Sequence, residues 1–136
     1  MVARAGSLTP YDVAVVGSGV VGATLACLLA DAGCRVALID GVVRLPARDE
    51  PWDLRTYSLT PASRRILSAA GAWSRLDRAR LAPYHGMHVW DAGREGAIDF
   101  DAAANGRPAL GHIVEQSNLQ HALTAALQSQ PGVTSF

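Results

Sequence analysis

The hexapeptide GSGVVG at residues 17–22 constrains this chain more than any other feature, because of what flanks it. Residues 11–16 (YDVAVV) are a short, β-branched, nearly all-apolar run ending in glycine, the pattern of a central strand in a parallel sheet with both faces covered. Residues 23–32, rich in Ala and Leu, predict a helix that Gly33 stops just past its end. Residues 35–40 (RVALID) repeat the buried-strand pattern. Two parallel strands joined through a helix form a right-handed βαβ unit over residues 11–40.

Each glycine has its own task in such a unit. Gly17 permits the tight turn out of the first strand. Gly19 has no Cβ, so a diphosphate can approach the backbone. Gly22 lets the helix pack close to the sheet. Free N–H groups around Ser18, Val20 and Val21 are expected to point, with the helix dipole, at the phosphate charge. Asp40 closes the second strand about twenty residues beyond the turn, where a carboxylate can accept from ribose hydroxyls and repel a 2′-phosphate. A lone GxGxxG is a weak signal, and a glycine-rich packing turn is its plain alternative. Its place between a strand and a helix, ahead of an acidic residue, makes it a dinucleotide signature, although the motif does not separate FAD from NAD.

Composition excludes several other classes. The chain has 136 residues, enough for one ordinary core, and its 12 basic and 12 acidic residues cancel. With no basic excess, a nucleic-acid partner is not expected. Cys27 and Cys34 fall in the expected helix and just before the second strand, so they read as inert thiols; no metal-ligand spacing exists. The uncharged run over residues 13–30 approaches the length of a membrane span, but Gly17, Ser18, Gly19 and Gly22 at its centre fit only the strand–turn–helix reading.

Residues 41–52, with Pro46 and Pro51, read as an irregular exposed connection. In the following stretch, DLRTYSLTPASRRILSAAGAW, Thr60 is the expected N-cap, Pro61 the first helical residue and Gly71 the stop. Ile66 and Leu67, with Ala62, Ala69 and Ala70, are expected to form its buried stripe, and Arg64 and Arg65 its solvated face. A long loop, then an Arg, then a capped helix is not how an ordinary NAD dehydrogenase continues.

Here the chain resembles a known family. DVAVVGSGVVGATLACLLADAGCRVALID followed by DLRTYSLTPASRRILSAAGAW is similar to the FAD-dependent aromatic hydroxylases related to p-hydroxybenzoate hydroxylase. Within that class it most resembles the ubiquinone-biosynthesis hydroxylases acting on polyprenylated phenols. The resemblance implies an α/β fold: a Rossmann-like FAD-binding βαβ unit with part of a substrate-side β-sheet. It implies that Asp40, often Glu in the family, holds the adenosine ribose. It also implies that Arg55 reaches toward the flavin cofactor; an ion pair with Asp53 or Glu50 is the alternative.

Residues 86–91 and 96–101 alternate apolar and polar residues around Ala92, Gly93 and Arg94, which predicts a substrate-side hairpin within residues 84–101 with one face covered. Trp90 and Phe100 are candidates to line an aromatic pocket or simply to pack that face. His85, His88, His112 and His121 share no ligand spacing. Residues 111–128 (GHIVEQSNLQHALTAALQ) read as a strand and then a helix, with Ser117 as N-cap and Leu119, Leu123, Ala126 and Leu127 as its apolar stripe. Many family members carry an Arg where Ser117 stands, which puts that cofactor contact in doubt.

The resemblance spans residues 11–130 in four pieces: the βαβ unit (11–40), the Arg segment and capped helix (53–83), the hairpin (84–101), and the strand and helix (111–130). Family members continue well beyond this length, and a further strand is expected to begin at Val133 and Thr134. The chain is therefore expected to be an N-terminal, truncated part of such a protein, inactive alone. The family's chemistry implies FAD, NAD(P)H as reductant, O₂, and hydroxylation of a small aromatic, prenylated phenol. It further implies a cytoplasmic protein working peripherally at the inner membrane or in a ubiquinone-biosynthesis complex. Another FAD- or NAD-linked oxidoreductase, or a non-catalytic nucleotide-binding fragment, are the competing readings. No residue is assigned an acid, base or nucleophile role.

Overall fold

The computed structural model describes residues 10–41, 52–93 and 95–136. Residues 42–51 of the expected irregular connection, including Glu50, lie outside the described residues, as does Arg94 of the hairpin turn. In chain order the elements are β1 (Val13–Val16), α1 (Val20–Asp31), β2 (Val36–Ile39), β3 (Thr56–Leu59) and α2 (Pro61–Ala69). There follow β4 (Leu81–Tyr84), β5 (Gly86–Trp90), β6 (Ala97–Asp101), β7 (Gly111–Glu115), α3 (Gln116–Leu127) and β8 (Val133–Ser135). Single turns of 3₁₀-helix stand at Trp73–Arg75, Arg78–Arg80 and Ala103–Asn105.

The βαβ unit forms as its sequence dictates, with β1 and β2 paired in parallel and Val13 opposite Val36. Gly33, at φ +86°, reverses the chain after α1. The helix starts at Val20 rather than residue 23, because Gly19 already has extended N-cap geometry. Nor is β1 a central strand with both faces covered. β8 joins the far side of β2, so β2 is central and β1 an edge, with Val16 81% exposed. Among the described residues no element covers that second face.

A second sheet, in the order β3-β7-β4, is antiparallel throughout. Its outer strands were not foreseen: β3 has four residues, and β4 contains Pro83, which suits only an edge. Helix α3 lies between α1 and the second sheet. Its face of Leu119, Ala122, Leu123 and Ala126 is buried against Ala23 and Cys27 of α1 and Leu59 and Val114 of the second sheet. The small residues let α1 and α3 approach closely, so a truncation such as Leu123→Ala would cost about 2–5 kcal/mol. Cys27 is buried and Cys34 partly so, both as free thiols.

Helix α2 has the expected cap, with the Thr60 hydroxyl accepting the Ser63 N–H at 3.2 Å and Pro61 at its start. Its buried stripe is narrower than expected. Leu67 and Ala70 are buried, whereas Ala62, Ile66 and Ala69 are exposed, because only one edge of the helix meets the core. The β5–β6 hairpin forms, but neither of its faces is covered by a described element. Trp90 is 65% exposed and Phe100 42%, so neither packs a buried face.

Candidate dinucleotide site

Three glycines shape the turn in physically different ways. Gly17 has φ +94°, a left-handed conformation that favours glycine, and its N–H donates to the Ile39 carbonyl at 2.8 Å. A Cβ on Gly22 would stand 1.9 Å from the Gly17 carbonyl oxygen, so glycine is demanded by the packing of α1 on β1. A Cβ on Gly19 would meet nothing within 4 Å. That space opens where the N–H groups of Gly19, Val20 and Val21 have no acceptor among the described residues, as expected at a helix start.

The Ser18 N–H is not free as expected. It donates to Asp40 Oδ2 at 2.6 Å, and the Ser18 hydroxyl donates to the same oxygen. Asp40 Oδ1 accepts the Gly41 N–H at 2.7 Å. The Ser18 hydroxyl, then its N–H, hold the Asp40 carboxyl below the ordinary carboxylate range. The short Asp side chain thus folds back onto the turn, while remaining exposed at its rim.

A residue that the sequence reading missed supports the turn from behind. Gln120, buried on α3, donates its side-chain N–H to the Ser18 carbonyl at 2.8 Å. No local signal marked it, since Ser117 and Asn118 beside it are polar and buried as well. Beside the turn, at the carboxyl ends of β2 and β8, lies a cleft of about 400 Å³ lined by Ser18, Asp40, Thr124, Gln128, Ser135 and Phe136. Ligands of open parallel sheets bind at such strand ends.

Arg55 stands apart from the glycine turn, with no hydrogen bond or ion pair to it among the described residues. Its side chain is 75% exposed, and its Nε lies 3.9 Å from Asp53 Oδ1, a loose ion pair. Its backbone is firmly held instead: its N–H donates to Asp53 at 3.0 Å, and its carbonyl accepts the Gln116 N–H at 2.9 Å. Ser117 is not the N-cap of α3, because β7 runs directly into the helix and Glu115 takes the cap position. The Ser117 N–H is satisfied from a distance by Asp53 Oδ2 at 3.1 Å. Hydrogen bonds from the N–H groups of Arg55 and Ser117 hold the Asp53 carboxyl below its usual range.

Behind this corner, Glu115 accepts the Asp53 N–H at 2.9 Å and pairs with Arg80 at 3.2 Å. Glu115 Oε1 and the Ser117 hydroxyl are buried without a hydrogen-bond partner. Among the described residues no group of His, Cys, Asp and Glu could hold a metal ion. No described helix is long and apolar enough to cross a membrane. The open space over Gly19, the three unaccepted N–H groups and the rim carboxylate together suit a dinucleotide diphosphate and its ribose.

Comparison with known proteins gives the family. Residues 10–136 match the family described as FAD binding domain. The chain is 36% identical over 126 residues to the 3-demethoxyubiquinol 3-hydroxylase of Escherichia coli, covering 92% of this chain and 32% of that protein. It is 35% identical over 130 residues to the human mitochondrial ubiquinone biosynthesis monooxygenase COQ6, covering 89% and 27%. It thus spans about a third or less of these relatives. Among solved structures it is similar in fold to PqsL, a probable FAD-dependent monooxygenase from Pseudomonas aeruginosa, with TM-score 0.63 and 24% identity over 93% of this chain and 32% of that one. The p-nitrophenol 4-monooxygenase PnpA of Pseudomonas putida is similar at TM-score 0.61 and 21% identity, over 91% and 31%.

Proposed function

The chain belongs to the FAD binding domain family, among the FAD-dependent monooxygenases, and from that membership we propose that it holds the adenosine diphosphate half of FAD in an enzyme hydroxylating an aromatic ring. The single observation that carries this reading is the open backbone cradle at Gly19, with its unaccepted N–H groups and the Asp40 carboxylate at its rim.

In this reading Gly19, Val20 and Val21 donate backbone N–H groups to the diphosphate, with the dipole of α1 behind them. Gly17 and Gly22 set the turn and let α1 lie close, while Ser18 orients Asp40. Asp40 accepts from a ribose hydroxyl with the lone pairs that Ser18 and Gly41 leave free. Arg55, anchored by its backbone and open at its guanidinium, offers a cation on the flavin side. The bound flavin supplies the redox chemistry, activating O₂ at the expense of NAD(P)H.

The relatives' names speak of ubiquinone biosynthesis, which supports a polyprenylated phenol as substrate and work at a membrane surface or within a biosynthetic complex. The test is to express the chain as it stands and as its extended reading frame, then measure flavin absorbance and NAD(P)H and O₂ consumption. The expected result is FAD in the extended form and turnover stimulated by a prenylated phenol. NAD bound without flavin in both forms would overturn the reading.

A further inference from the structure

The antiparallel sheet carries a second cavity, of about 480 Å³, remote in the chain from the glycine turn and sharing no residue with it. Its polar lining is Arg64, His85, Arg107 and His112, and its walls are Pro61, Pro83 and Pro108. No carboxylate lines it among the described residues. Helix α2 starts at its edge with Pro61, so the helix dipole adds partial positive charge.

The cationic side of this cavity is held in place. The Arg64 guanidinium lies over the Trp73 ring, 5.1 Å from its centroid. Stacking engages the flat face of a guanidinium and leaves its N–H edge available for a carboxylate. Trp73 in turn meets the His112 ring edge-on at 5.2 Å. Burial first, then the nearby Arg64 and Arg78, hold the His112 imidazole below its ordinary value, so it stands neutral at pH 7. His85 and Arg107 are the other titratable groups of the lining. Apolar rigid walls with convergent cations are the features of a small-molecule site, and this volume falls in the range of about 300–1,000 Å³ for such sites.

We propose that this cavity binds a compact organic anion, a carboxylate on a flat apolar body, with Arg64 and Arg107 at the carboxylate and the prolines against the ring. The anion draws a proton onto His112, so binding strengthens as pH falls toward the imidazole range. The site stands independently of the flavin reading, since either can fail alone.

The chain contains four histidines, two lining the cavity and two, His88 and His121, outside it as internal controls. Their imidazole C–H resonances are followed by NMR while the chain is titrated at constant ionic strength with benzoate, neutral benzamide or inorganic phosphate. Benzoate is expected to move His85 and His112 saturably and to raise the apparent pKa of His112, with His88 and His121 unmoved. Benzamide is expected to have no effect, and phosphate to bind about tenfold more weakly, a difference of about 1.4 kcal/mol. Arg107→Gln, away from the Trp73 stack, is expected to weaken benzoate about tenfold with an unchanged circular dichroism spectrum. Unmoved His85 and His112, equal effects of benzamide, or full affinity in Arg107→Gln would overturn the proposal. Phosphate binding as tight as benzoate would overturn its flat apolar body.

Discussion

Gln120 donates its side-chain N–H to the carbonyl of Ser18 at 2.8 Å, joining α3 to the middle of the glycine turn across 102 positions of sequence. The bond is partly buried, with Gln120 itself buried, so its loss leaves the Ser18 carbonyl without this partner. Gln120→Leu is expected to lower stability by about 1 kcal/mol in denaturant unfolding. Because the turn is then less fixed, ADP should also bind more weakly in a calorimetric titration.

Gly22 and Gly19 make opposite demands, and substitutions separate them. Gly22→Ala places a methyl against the Gly17 carbonyl and is expected to cost about 3 kcal/mol or more in thermal unfolding. A Cβ at Gly19 meets nothing in the chain and the backbone there is extended, so Gly19→Val should lose only the roughly 1 kcal/mol of a poorer N-cap residue. Gly19→Val should nonetheless abolish FAD retention in the extended form, read from flavin absorbance. A folded Gly19→Val protein with full FAD content would remove the turn from the site.

The division between what the sequence made legible and what it did not follows the range of the interactions. The βαβ unit was readable because Gly17, Gly22 and Gly33 act on their immediate neighbours, and β1, α1 and β2 are adjacent in the chain. The α2 cap at Thr60 was readable for the same reason. The start of α3 was misread because its first N–H groups are satisfied from far along the chain, Gln116 by the Arg55 carbonyl and Ser117 by Asp53, 64 positions away, rather than by a local Ser117 cap. The occupied Ser18 N–H was missed because nothing local shows that a short Asp40 will fold back 22 positions. Ile66 was misplaced because periodicity gives a helix its apolar side but not how much of it the rest of the chain covers.

Asp40 gives the turn a defined response to acid. Its folded-state pKa lies below the ordinary 3.8, so its contribution is fully present above that value and is lost as pH falls through the lowered one. Asp40→Asn removes the ionised acceptor. The difference in Tm between the native protein and Asp40→Asn should therefore be constant at neutral pH and close as pH drops below 3.8. A difference that persists unchanged at the acid end would show that the Asp40 charge is not what holds Ser18.

Arg80 and Glu115 form a largely buried ion pair at 3.2 Å, with side-chain exposures of 17% and 7%. Arg80→Met strips the buried carboxylate of this cation and is expected to cost about 3 kcal/mol. The double substitution Arg80→Met, Glu115→Gln should recover a good part of that loss in denaturant unfolding, because no uncompensated charge remains. Additive losses would mean that the two side chains are not coupled.

The Gly19 cradle and the Asp40 rim are tested most directly by ¹H–¹⁵N NMR of the chain titrated with ADP and with its 2′-phosphorylated counterpart. ADP is expected to shift the backbone amides of Gly19, Val20 and Val21 saturably, and the 2′-phosphorylated ligand to bind about tenfold or more weakly, because Asp40 repels the added phosphate. ADP that leaves those three amides unmoved, or a 2′-phosphorylated ligand that binds equally well, would contradict a dinucleotide site built on this turn.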